Sequence, residues 1–246
     1  MELYNAGDRA MNTYVYPISS GYVMIDTGYE EHFSRAKEKL AQQGIAMEDI
    51  RYIFLTHAHD DHAGFLKEML DRYPKLQCIL SDRSMEALKQ GQNPYEGGGC
   101  SGRLAVFHCK KMAQAGKGRH LFPALDDSYR DRLIEVSPET KEQAEALLGG
   151  KIFFTPGHTK DSLSLQLGDR MFCGDAAMNG VLSRNRITIW LADKQVFRDS
   201  WEVLLRSGAS MLYPAHGDPF PMEDLARFKD RVLPTPIYSI KGKRIG

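Results

Sequence analysis

Apolar positions in the chain come in short runs whose period changes from one segment to the next. Between Thr13 and Ile25, TYVYPI and GYVMI flank Ser19, Ser20 and Gly21, the pattern of two strands joined by a turn. From Glu30 to Gln43 the period lengthens: Phe33, Ala36, Lys37 and Leu40 recur at helical spacing among charges, and Gly44 follows as a stop. RYIFLT at 51–56 has the length of a buried strand, 64–73 returns to a helical pattern, and 76–80 is a second apolar strand. The sequence of signals then recurs. KIFFT at 151–155, the alternating SLSLQL at 162–167 and MFC at 171–173 predict strands, 194–207 a helix, and MLYP at 211–214 a last strand.

Strands accompanied by helices in both halves predict an α/β class in which two sheets pack under outer helices. Residues 81–150 read differently, with turn-rich QNPYEGGGCSG and QAGKGRH and helical patterning only at 81–90 and 139–148. The expectation is one domain over 1–246, carrying an elaboration at about 81–150 on its substrate side.

Composition narrows the function classes. Apolar residues make up 42% of the 246 residues and charged residues 26%, enough for a sizeable core. The 32 basic and 32 acidic residues cancel, so no global field draws the chain to nucleic acid or to an anionic membrane. No run approaches the ~18 apolar residues of a membrane span, and MELYNAGDRAMNTYVYP has no basic segment followed by an apolar one. A cytoplasmic protein with a small-molecule substrate is therefore expected. Cys78, Cys100, Cys109 and Cys173 are too few and too scattered for a disulfide framework.

Candidate chemistry concentrates at strand ends. THAHDDHAG, residues 56–64, follows the apolar strand and places three histidines and two aspartates within six residues. Neutral imidazole and carboxylate are the side chains that bind a borderline divalent ion such as zinc. In an irregular loop His57 and His59 can chelate one ion while Asp61 and His62 turn toward a neighbour. His158 in TPGHT, Asp175 in CGDA and His216 in PAHGD each follow a short apolar strand, which brings the candidate ligands to seven.

Other residues carry weaker signals. Asp60 is read as a solvated carboxylate. Cys100, His108, Cys109 and His120 lack the tight spacing of a zinc site. Lys110, Lys111, Lys117 and Arg119 read as a solvated basic stretch, and Tyr95, Phe107, Phe122 and Tyr129 as aromatics that pack the elaboration onto the core.

The chain resembles the metallo-β-lactamase superfamily, whose HxHxDH motif is matched by His57, His59, Asp61 and His62, and whose later His, Asp and His positions are matched by His158, Asp175 and His216. The resemblance implies an αββα four-layer sandwich. It also implies one metal on His57, His59 and His158, a second on Asp61, His62 and His216, and Asp175 serving both, with Asp26 of IDTG supporting the metal loop. Two Zn2+ per chain are expected, with iron or manganese also accepted by such donors. Two metals roughly 3.5–4 Å apart can hold a bridging water as hydroxide near neutral pH, and Asp61 can orient it and carry its proton. The reaction so implied is hydrolysis of a carboxylic ester, lactone or thioester. The alternatives are a β-lactam or phosphodiester hydrolase, a di-iron redox protein, or a metal-binding protein without turnover. Only 30 residues follow His216, whereas glyoxalase-II-like thioesterases place their substrate helices after that histidine.

Overall fold

A computed structural model describes every residue except Met1, Tyr95 and Gly246. The chain divides into two compact units, residues 1–93 with 121–152 and residues 94–120 with 153–246.

The first unit is built on a six-stranded sheet. β1 (Tyr4–Asn5), β2 (Tyr14–Ile18) and β3 (Gly21–Ile25) form an antiparallel meander, in which the expected β2–β3 hairpin turns at Ser19–Ser20 and sets Tyr14 opposite Ile25. β4 (Ile50–Phe54), β5 (Gln77–Ser81) and β7 (Leu133–Val136) then add in parallel, giving the order β1-β2-β3-β4-β5-β7. β6 (Gly99–Cys100) lies in the second unit. Parallel neighbours need a crossover, and α1 (Phe33–Gln42) supplies the one from β3 to β4. Phe33, Ala36 and Leu40 form its buried stripe, whereas Lys37, which shares their spacing, is exposed. The ligand segment contains a four-residue helix α2 (Asp60–Ala63), followed by α3 (Leu66–Arg72), α4 (Met85–Gln90) and, later, α6 (Lys141–Leu148).

Strand β7 was not legible in the sequence, because LIEV follows a charged 3-10 turn and has no alternation to mark it. The region 81–150 therefore completes the first sheet as well as elaborating it. Phe122 and Tyr129 are buried as expected, but Phe107 is 61% exposed, and Tyr95 lies outside the described residues.

The second unit holds a sheet of order β13-β12-β10-β9-β8, from β8 (Lys151–Phe154), β9 (Leu163–Leu167), β10 (Arg170–Gly174), β12 (Met211–Pro214) and β13 (Phe220–Pro221). β9 and β10 form a hairpin, and β10 runs parallel to β12. α7 (Lys194–Leu205) makes that parallel crossover and buries Phe197, Ser200, Trp201 and Leu204. A two-stranded ribbon pairs β6 with β11 (Trp190–Leu191), beside α5 (Arg103–Gln114), a helix hidden from the periodicity by the exposed apolar side chains Leu104 and Phe107. α8 (Glu223–Phe228) follows β13. No helix among the described residues is long and apolar enough to cross a membrane.

One buried charge ties α6 to the strand after it. Glu145 accepts hydrogen bonds from Ile152 N at 2.9 Å and Lys151 Nζ at 2.9 Å, and Lys141 Nζ lies 3.2 Å away. Burial pushes this carboxyl up, but the Ile152 amide and the two ammonium groups outweigh it, leaving the pKa below its ordinary value. A depressed carboxyl stabilises the fold above its unfolded pKa and loses that contribution as pH falls through the folded value. Glu145→Gln is therefore expected to lower unfolding free energy by about 1–3 kcal/mol at pH 7. The deficit should shrink toward zero in urea titrations repeated below the ordinary glutamate pKa of 4.5.

Candidate metal-ligand clusters

Strand β4 ends at Phe54, and Leu55 N still bonds Ile79 O at 2.9 Å, so the chain leaves the sheet only at Thr56. The next six residues turn sharply into α2 and place three imidazoles together. The ring centroids of His57 and His59 are 4.5 Å apart and those of His57 and His62 are 3.9 Å apart. The carboxylate of Asp61 is part-exposed, with Oδ1 3.7 Å from His62 Nε2.

The loop after β3 holds this turn in shape. Asp26, with a left-handed backbone at φ 58°, is 1% exposed. It accepts from Thr56 N at 2.8 Å and Thr56 Oγ1 at 2.9 Å, and its Oδ2 lies 2.8 Å from His62 Nδ1. Thr27 grips the far end of the turn, donating to His62 O through N and Oγ1, both at 2.8 Å. Gly64 permits the close approach: a Cβ there would stand 2.4 Å from Glu30 N and 2.5 Å from Gly28 O.

These contacts assign protons. A carboxylate only accepts, so His62 Nδ1–H donates to Asp26. The single hydroxyl proton of Thr56 also goes to Asp26, so Thr56 Oγ1 accepts from His57 Nδ1 at 3.1 Å. In a neutral ring this tautomer puts the lone pair on Nε2. Thr56 was not singled out in the sequence, where its only signal was its position in front of His57. Asp60, read there as solvated, is 9% exposed and paired with Asn93: Asp60 N donates to Asn93 Oδ1 at 2.7 Å, and Asn93 Nδ2 donates to Asp60 Oδ1 at 2.9 Å. Those bonds anchor the N-terminus of α2.

The second unit gathers the remaining three candidates. His158 follows β8, Asp175 follows β10 and His216 follows β12. Asp175 lies between the histidines, with Oδ2 3.5 Å from His158 Nε2 and Oδ1 3.6 Å from His216 Nε2. His158 Nδ1 donates to the carbonyl of Trp190 at 2.9 Å, which turns its Nε2 toward a carboxylate oxygen of Asp175. Trp190 contributes through its backbone, which no side-chain motif could reveal.

Helix α7 steadies two of these loops. Ser200 Oγ donates to Pro156 O at 2.6 Å, and Trp201 Nε1 donates to Ala176 O at 2.7 Å. Gly157, at φ 128°, lets the loop press against this helix, since a Cβ would fall 2.4 Å from Phe197 N. The His216 loop is joined to its neighbours by Ala215 N to Gly174 O at 3.0 Å and Asn179 N to His216 O at 2.9 Å.

Each unit thus sets an imidazole Nε2, the acceptor atom of the neutral tautomer, opposite a carboxylate oxygen, at 3.7 Å for His62–Asp61 and 3.5 Å for His158–Asp175. Two such acceptors repel unless a proton or a cation lies between them, and this donor set fits a divalent metal ion.

Residues 6–216 match the family described as the metallo-beta-lactamase superfamily. The chain is 25% identical over 214 residues to Beta-lactamase-like protein 2 homolog of Caenorhabditis elegans, a match covering 85% of this chain but only 56% of that protein. It is 25% identical over 218 residues to Probable metallo-hydrolase MJ0888 of Methanocaldococcus jannaschii, covering 87% of this chain and 91% of the relative. A Hydroxyacylglutathione hydrolase from Buchnera aphidicola is 24% identical over 166 residues, covering 68% of this chain and 46% of the relative. The fold is shared with the crystal structure of TTHA1623 in a di-iron-bound form, at a TM-score of 0.63 and 20% identity over 92% of this chain and 98% of that one. By the extent of the family match and by its fold, the chain belongs to the metallo-β-lactamase superfamily.

Proposed function

We propose that the chain is a metal-dependent hydrolase that cleaves a carboxylic thioester, ester or lactone in a small molecule, with zinc as its metal. The observation that carries the reading is the geometry of the two clusters, in which imidazole Nε2 atoms lie 3.5–3.7 Å from carboxylate oxygens. His57, His59, Asp61 and His62 are the candidate ligands from the first unit, and His158, Asp175 and His216 those from the second. Bound metal would supply Lewis acidity toward the acyl oxygen and lower the pKa of water.

The chain's own groups supply the rest. Asp61 is the one carboxylate of the first set with a solvent-facing edge, its side chain 16% exposed. It takes the proton of the attacking water and returns it to the departing thiolate or alkoxide, so the acid and alcohol or thiol leave neutralised in balance. Asp26 and Thr56 act at a distance, by holding the His62 and His57 rings with Nδ1 protonated and Nε2 available. The thioester reading draws support from the hydroxyacylglutathione hydrolase among the relatives, whose name specifies hydrolysis of such a bond.

Metal analysis of purified wild type should find about two zinc ions per chain. His59→Ala should hold fewer and should lose at least ~100-fold in thioester, ester and lactone hydrolysis, consistent with loss of a metal ligand. Iron alone with no hydrolysis, or no bound metal, would reject the proposal.

Asp26→Asn separates charge from shape, since asparagine tolerates the left-handed backbone but cannot act as a second carboxylate acceptor. Zinc affinity in chelator competition should fall about 10–100-fold, the range for lost outer-sphere support of a metal-binding histidine. The variant should still unfold cooperatively.

A further inference from the structure

A second reactive constellation lies in the second unit, apart from the seven candidate ligands. Cys100 in β6 and Cys109 in α5 bring their sulfurs to 3.7 Å, with the Cys100 thiol donating to Cys109. Cys100 is fully buried, packed with Ala105 and Val106, while Cys109 is half-buried against the same cluster. Among the described residues no three-donor metal group includes either cysteine, which argues against a metal site built on this pair.

We propose that Cys100 and Cys109 are a redox-active dithiol, in which Cys109 meets a hydroperoxide oxidant and Cys100 resolves the product to an intramolecular disulfide. The roles follow from position and proton placement. Cys109 is the less buried residue of the pair and the acceptor of the thiol–thiol hydrogen bond, so it is the one that bears the thiolate. The Cys100 hydrogen bond, with the charge of His120 adding to it, draws Cys109 down to about 7 against the opposing effect of burial. The same hydrogen bond, reinforced by burial, pushes the Cys100 thiol up.

The chemistry balances in two steps. The Cys109 thiolate attacks one peroxide oxygen, the O–O bond breaks, and the leaving hydroxide takes a proton to become water, giving a sulfenic acid at Cys109. Cys100 sulfur then attacks Cys109 sulfur, the S–O bond breaks, and the thiol proton leaves with the hydroxyl as a second water. The two sulfurs together lose two electrons, and the peroxide gains them. The sulfurs must approach by roughly 1.6 Å to reach disulfide length.

The test is a thiol count on the full-length protein, denatured after brief exposure to hydrogen peroxide and quenching with catalase. The reduced chain has four free cysteines. Oxidised wild type should show about two titratable thiols, a mass lower by about 2 Da and a Cys100–Cys109 linked peptide, all reversed by dithiothreitol. Cys100→Ser should form no internal disulfide and should leave a sulfenic acid at Cys109 that dimedone traps, whereas Cys109→Ser should keep its remaining thiols. Four thiols after oxidation of wild type, links between chains, or links through Cys78 or Cys173 would overturn the proposal. The wild-type arm does not depend on how either variant folds.

Discussion

The carboxylate of Asp26 is the interaction on which the first ligand cluster depends. It is buried, held on a left-handed backbone, and satisfied by the amide and hydroxyl of Thr56 together with the imidazole of His62. A buried carboxylate is tolerable only when its oxygens are supplied with donors, and here the donors are the first residue of the ligand turn and one of its last. Satisfying one charge therefore closes a loop of seven residues. The proton placement on His57 and His62 follows from it, and with that the chemical character of the atoms they present.

The second cluster is held in another way. Its loops are pinned through backbone carbonyls to α7, by Ser200 and Trp201, and to one another by main-chain bonds between Ala215 and Gly174 and between Asn179 and His216. Asp175 faces both histidines, one oxygen toward each. The donors of the first unit stand beyond the carboxyl end of β4, and Asp175 and His216 beyond those of β10 and β12, all strands with a parallel neighbour, where the chain must leave the sheet.

Much of this was legible beforehand, for identifiable reasons. Strands β2 to β5, β8 to β10 and β12 show as apolar runs because they are buried, and the seven donors stand out because histidine and aspartate are rare directly after such runs. β7 went unread because its burial is partial, and α5 because its apolar side chains include exposed ones. Thr56, Asn93 and the Trp190 carbonyl were invisible for a different reason: they act through hydrogen bonds whose partners lie up to 33 residues away, and one of them is not a side chain at all. Asp60 was misjudged on the same account, since Asn93 buries it.

The contrast between the two supports has a consequence for how the clusters can vary. The acceptor that orients His62 is a side chain, so one substitution at Asp26 withdraws it together with both anchors of Thr56. The acceptor that orients His158 is a peptide carbonyl, which every amino acid at position 190 would carry. Drift in sequence can thus detune the first cluster in one step, whereas the imidazole of His158 is insulated from it, and lineages descended from such a chain are free to change residue 190 while keeping that ring's orientation.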